Sequence, residues 1–263
     1  MKTFNRSILT IKTPYKKSFR QPTEGCLICG QELIYSKAST KEVCYICGLE
    51  FDSYIRCSNG HYVCDLCHSI DILGKTEKLL CASNETNPLI LAQMIFELPG
   101  LNMHGPEYHS IVPSVLVTAF QNLNNEKNVS KIEESIKRGK HIEGGSCGLY
   151  GNCGAAVGSG IAVSIIEGAT PMSNHERGAA NRTTGYALLE ISKHGGPRCC
   201  KREAITSIEA FMQVTSYFDG MQKTNYTCKQ YNKNKDCIGK KCPYFPSLLG
   251  IKYETKKDDQ MDQ

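Results

Sequence analysis

The sequence predicts a mostly α fold, in which a small N-terminal zinc-ribbon or knuckle module precedes a helical domain of about six helices. Seven of its 15 cysteines crowd into positions 26 to 67 at the spacing of metal knuckles. Beyond position 87, apolar residues recur every three or four places, the period of amphipathic helices. No long alternating run argues for a large sheet. The chain has 263 residues, 40% hydrophobic and 22% charged, which are globular values, and a net charge of +5. That length suits a small domain joined to a medium one.

The first 25 residues hold six basic side chains and no apolar core of the kind a secretory signal requires. Residues 1–22, with Lys12, Lys16, Lys17 and Arg20, read as a basic flexible arm. The most apolar stretch, residues 154–166, falls short of the ~18 residues of a membrane helix. A cytoplasmic protein without a membrane partner is therefore expected. In a reducing compartment its thiols should serve as metal ligands or redox groups in preference to structural disulfides.

Residues 23–80 read as a double zinc-binding module. Cys26-x2-Cys29-Gly and Cys44-x2-Cys47-Gly bracket 14 residues, so that two tight turns can each present a pair of thiolates. Gly30 and Gly48 fall where such turns need a left-handed residue. Cys57, His61, Cys64 and Cys67 follow within 11 positions, with His68 as a bystander or a donor to the ligands from behind. Pairing Cys26, Cys29, Cys44 and Cys47 on one zinc and Cys57, His61, Cys64 and Cys67 on the other is the economical arrangement. A cross-braced alternative puts Cys44, Cys47, Cys64 and Cys67 together and leaves Cys26, Cys29, Cys57 and His61. The cross-braced order is that of the early ligands of a RING finger, but the later Cys-x-x-Cys of a RING is missing, which argues against ubiquitin transfer. Short segments 32–35 and 50–54 suit small hairpins.

Residues 81–252 read as the helical cysteine-rich domain and 253–263 as a flexible tail. Helices are expected over 87–98, 107–123, 130–138, 153–167, 176–193 and 198–218, punctuated by Pro106, Gly139 and Gly195-Gly196-Pro197. Cys153 falls at a helix start, and Cys199 and Cys200 open another between Arg198, Lys201 and Arg202. Helix N-termini and fixed positive charge both favour thiolates, so Cys153, Cys199 and Cys200 are the candidate catalytic residues. Cys228, Cys237 and Cys242-Pro243 sit in a lysine-rich loop with little to pack against. Together with Cys147 these seven thiols are candidate ligands of an Fe–S cluster. His104, Glu107, His109 and Arg198 are candidate accessory groups. The glycines at 154, 158 and 160 suit close helix packing, and no phosphate-loop pattern is present.

Across residues 24–246 these motifs, with Cys57-Ser-Asn-Gly-His-Tyr-Val-Cys64-Asp-x-Cys67-His and Gly195-Gly-Pro-Arg-Cys-Cys-Lys-Arg202, resemble a cysteine-rich family of unknown function. That family occurs mainly in methanogens and other strict anaerobes, sometimes beside methyltransferase domains. The resemblance implies a protein partner in anaerobic metabolism but carries no reaction. The Cys153-Gly-Ala stretch is also similar to the Gly-Cys-Ala-x-x-Gly signature of a redox family, from which Gly-Asn-Cys-Gly-Ala departs in order. Two functional classes follow. One is a metalloprotein with two structural zincs and a C-terminal thiol or Fe–S redox centre. The other is a zinc-dependent adaptor for nucleic acid or a methyltransferase.

Overall fold

The computed structural model describes residues 25–222 and 224–246. The basic arm of residues 1–22 and the tail of 253–263 lie outside them. Two strands, β1 (Leu33–Val43) and β2 (Glu50–Cys57), pair antiparallel from Leu33 opposite Cys57 to Val43 opposite Glu50, with a bulge between Tyr35 and Thr40. The two short segments expected from the sequence thus belong to one longer hairpin.

Eight α-helices follow among the described residues: α1 (Asp65–Ala82), α2 (Pro88–Phe96), α3 (Glu107–Leu123), α4 (Val129–Gly139), the single turn α5 (Ser146–Leu149), α6 (Gly154–Ile166), α7 (His175–Ser192) and α8 (Cys200–Val214). Six of them answer to the six expected. The short α5 and the 18-residue α1 are additional. Helix α1 buries Ser69, Ile72, Leu73, Thr76 and Leu80, which share one helical face. Its first turn also carries metal-knuckle residues, so module and helices share this element.

Local chemistry sets several boundaries. Asn87 caps α2 by accepting from the Leu89 and Ile90 N–H groups, with Pro88 in the first turn. Asn128 caps α4 through Lys131 N–H. Helix α3 is the centre of the domain: nearly all of it is buried, and α1, α2, α4, α6 and α8 pack around it. Pro113 lies within α3 and lacks an N–H to give the His109 carbonyl. The glycines bring neighbouring helices onto that spot. A Cβ on Gly139 would sit 2.5 Å from the His109 oxygen, and one on Gly158 would sit 2.8 Å from Pro113 Cδ. On the other side of α6, Gly160 admits Ala180 and Thr184 of α7.

Gly139→Ala should therefore force backbone apart and destabilise the protein by about 1–3 kcal/mol. The exposed helical Gly185 has no neighbour within 4 Å of its Cβ position. Gly185→Ala should raise stability by roughly 0.5–1 kcal/mol through helix propensity. Urea unfolding of the two variants checks the contrast; equal effects would show that α4 does not approach α3 this closely.

Candidate metal centres

Each knuckle of the hairpin is a tight turn closed by a glycine. Gly30 N–H donates to the Cys26 carbonyl at 2.7 Å and Gly48 N–H to the Cys44 carbonyl at 2.8 Å, with φ of 73° and 71°. The sulfur of Cys26 accepts Ile28 N–H at 3.4 Å, that of Cys57 accepts Asn59 N–H at 3.3 Å, and that of Cys44 accepts Cys64 N–H at 3.3 Å. These donors stabilise thiolates.

The ligand atoms gather as two groups, Cys26, Cys29, Cys57 and His61, and Cys44, Cys47, Cys64 and Cys67, each lying within 4.8 Å of one another. The cross-braced arrangement replaces the economical sequential one. The physical reason is the hairpin: β1 and β2 carry the two knuckles to opposite ends of the ladder. The first knuckle meets Cys57 at the end of β2, and the second meets the start of α1. Cys29 and Cys57 sulfurs are 3.5 Å apart and those of Cys47 and Cys64 3.9 Å apart, while His61 Nδ1 is 3.3 Å from Cys29. A tetrahedral ion with 2.3 Å bonds to sulfur sets such edges at about 3.8 Å.

Crowding splits the thiols' proton affinities. Burial opposes ionisation of Cys57, yet the Asn59 N–H, its thiol neighbours Cys29 and Cys26, and His61 bring it down to about 6. Burial likewise opposes ionisation of Cys44, which the N–H groups of Cys47, Cys64 and Ile46 bring to about 7. Cys64 is pushed up to about 11, mainly by burial.

Among the described residues, several polar links join the module to the helices. Asp65 accepts Gly144 N–H at 2.7 Å, Arg198 donates to the Tyr35 hydroxyl at 3.0 Å, and His68 Nδ1 lies 3.2 Å from Glu107 Oε2. Glu107 is wholly buried. Between the two parts runs a cleft of about 1510 Å³, bounded by Tyr35 and His68 on one side and by His109, Cys153, Arg198 and Cys200 on the other. Of the accessory candidates, His109 faces this cleft, donating from Nδ1 to the Ile142 carbonyl at 3.0 Å, its ring seated on Gly154. His104 Nε2 lies 3.3 Å from Asn234 Oδ1. His68, read from the sequence as a bystander or a donor behind the ligands, pairs instead with Glu107 of a different helix, which no local pattern foretells.

The seven C-terminal thiols line two cavities. Cys199, Cys228, Cys237 and Cys242 line one cavity with Lys201 and Arg202. Cys147, Cys153 and Cys200 line the cleft. Helix starts do not make free thiolates here. Burial, the largest influence, pushes Cys153 up to about 11 against the Ala156 and Ala155 N–H groups, and Cys200 up to about 12 against Arg198. Cys199, Cys228 and Cys242 are also raised by burial. Burial outweighs the dipole because the thiols sit inside the packed helix ends.

Fold and site define a cysteine-rich, mostly helical protein with two four-ligand groups able to hold metal ions. The chain belongs to a family of unknown function, DUF5714, whose model matches residues 76–245. No curated protein and no solved structure matches it. Among the described residues, no helix is long and apolar enough to cross a membrane.

The pairing is checked by cadmium-113 NMR. Cys29→Ser and Cys57→Ser should both abolish one resonance, that of a site with three sulfurs and one nitrogen, and spare the four-sulfur one. Loss of different resonances would restore sequential pairing. Because binding must displace the protons that Cys64 holds up to about 11, affinity should fall on acidification. Metal transfer to a chelator should grow steadily as pH drops from about 8 to 5.

Proposed function

We propose that the chain is a metalloprotein with two structural zinc ions in the N-terminal module and an Fe–S redox centre held by Cys199, Cys228, Cys237 and Cys242. One observation carries this reading: all four thiols line a single cavity, and each accepts a backbone N–H from two or three residues onward. The donors are Arg202 for Cys199, Gln230 for Cys228, Gly239 for Cys237 and Tyr244 for Cys242. The same local device surrounds the module's sulfurs. No three of the four approach one another within 4.8 Å, unlike the module's groups, so a cluster suits their spacing better than a lone ion.

Charge supports it. Lys201 is only 3% exposed, directs its ammonium over the Phe96 ring at 4.7 Å, and has no salt bridge among those of the described residues. A buried ammonium is costly without an anion, and a thiolate-ligated cluster supplies one. Zinc suits the module because its donors are thiolates and an imidazole in closed tetrahedral groups.

The adaptor reading rests on a different feature. Val43, Tyr45, Leu49 and Leu66 are exposed on the module, an apolar set that suits a protein partner.

Anaerobically purified protein should absorb broadly near 400 nm, and Cys228→Ser should lose about four iron and four sulfide per chain. It should retain the module's zinc. A colourless wild-type protein containing zinc alone would favour the adaptor.

A further inference from the structure

The cleft holds a second set of thiols that the four-thiol reading does not use. Cys147 comes from α5, Cys153 caps α6, and Cys200 begins α8. Three separate segments thus converge on one wall, with each sulfur supplied with a donor. Cys153 accepts from Ala155 and Ala156 N–H, Cys200 from Gly105 N–H, and Cys147 from the Arg198 guanidinium. Cys153 lies within electrostatic reach of both Cys147 and Cys200, and Arg198 within reach of Cys147 and Cys200.

The spacing again excludes a lone ion in this arrangement, since no three of these ligand atoms fall within 4.8 Å. A fourth thiol is missing. Cys199 adjoins Cys200 in sequence but faces the other cavity, because successive residues at a helix start point about 100° apart. The three thiols border the cleft, and Arg198 lines it with them. Arg198 is fixed by its bond to the Tyr35 hydroxyl and lies 5.6 Å from that ring's centre.

We propose that Cys147, Cys153 and Cys200 hold a second Fe–S cluster by three thiolates, leaving one iron open to the cleft for a small anionic ligand guided by Arg198. The closed four-thiol cavity and this open site then differ in kind. The first is saturated by protein sulfur, whereas the second offers a coordination position to a molecule from solvent. Ligand binding there is a Lewis acid–base step: the anion donates a lone pair to iron, and the water it displaces leaves into the cleft. This inference uses none of the residues of the four-thiol cavity, so either can fail alone.

The test uses the full chain, reconstituted anaerobically with iron and sulfide, with ¹³C-cyanide as the probe. Wild type should bind twice the iron and sulfide of Cys153→Ser, and Cys228→Ser should lose the other half. The ¹³C hyperfine coupling to the reduced cluster should survive in Cys228→Ser and vanish in Cys153→Ser. Cys147→Ser, on a short surface turn, repeats the comparison should Cys153→Ser fold poorly by circular dichroism. Arg198→Gln should keep full iron but weaken cyanide binding by about tenfold, the worth of a charge-assisted hydrogen bond. Full iron in both Cys153→Ser and Cys147→Ser overturns the proposal, as does wild-type cluster that shows no ¹³C coupling. Iron lost in Cys153→Ser but unchanged in Cys228→Ser would instead overturn the four-thiol reading and leave this one standing.

Discussion

The ligand group of Cys44, Cys47, Cys64 and Cys67 is the constraint on which the arrangement of the two parts depends. Its first pair belongs to the hairpin turn, and its second pair spans the cap and first turn of α1. The other end of α1 is held by Leu73 and Leu80 in the helical core. An ion at this position therefore clamps the hairpin to a helix that is itself fixed. The hairpin has little else to hold it, since a two-stranded ribbon is marginal alone and Tyr35, Val43, Tyr45 and Leu49 stay exposed. An ion held by these ligands would supply what a core of this size cannot.

Once the hairpin is clamped, the polar links across the cleft become local consequences. Asp65 follows Cys64 directly and His68 follows Cys67, so the residues meeting Gly144 and Glu107 are positioned by the same ligand group. Tyr35 reaches Arg198 from the bulged part of β1. Glu107 is the costly member, a carboxyl group buried at the start of α3, with neither oxygen in a well-formed hydrogen bond among the described residues and the His68 ring 3.2 Å from Oε2. The helix dipole and the His68 imidazole offset part of that cost. The pair is tolerated because both helix starts are held from elsewhere, α1 by its thiols and α3 by the packing around it.

Much of this was legible in the residues. The boundaries of α3 follow from Gly105-Pro106 and the apolar period, and the eight module ligands from their spacing. Helix α1 was hidden, because its first turn is occupied by knuckle cysteines and its end runs into polar residues that suggest a linker. The pairing of ligands was open, because spacing within a knuckle says nothing about which knuckles meet; the hairpin decides that. The C-terminal thiols were harder still. Adjacent Cys199 and Cys200 suggest one centre, whereas a helix start sends them to opposite cavities. Their surroundings suggested ionised thiols, but burial is invisible in sequence and proves the larger influence on proton affinity.

That division has an electrostatic consequence for Lys201, which follows the two cysteines directly. Burial pulls its ammonium down to about 8, while Cys228 and Cys199 draw it up. Protonated thiols contribute little to that attraction, so a metal-free pocket leaves Lys201 with the Phe96 carbonyl at 3.4 Å and the Phe96 and Tyr108 rings, but no ion pair among those of the described residues. Ionising the thiols, which any metal centre requires, strengthens the cation, and the cation in turn favours the ionised thiols. Proton loss by sulfur and proton retention by Lys201 are thus two faces of one coupled equilibrium. A leucine in its place would pack as well against the rings, but it would remove a positive charge that Cys199 and Cys228 draw on. The buried ammonium is thus tied to the protonation of the sulfurs beside it, and a metal held by those sulfurs would fix it in its charged form.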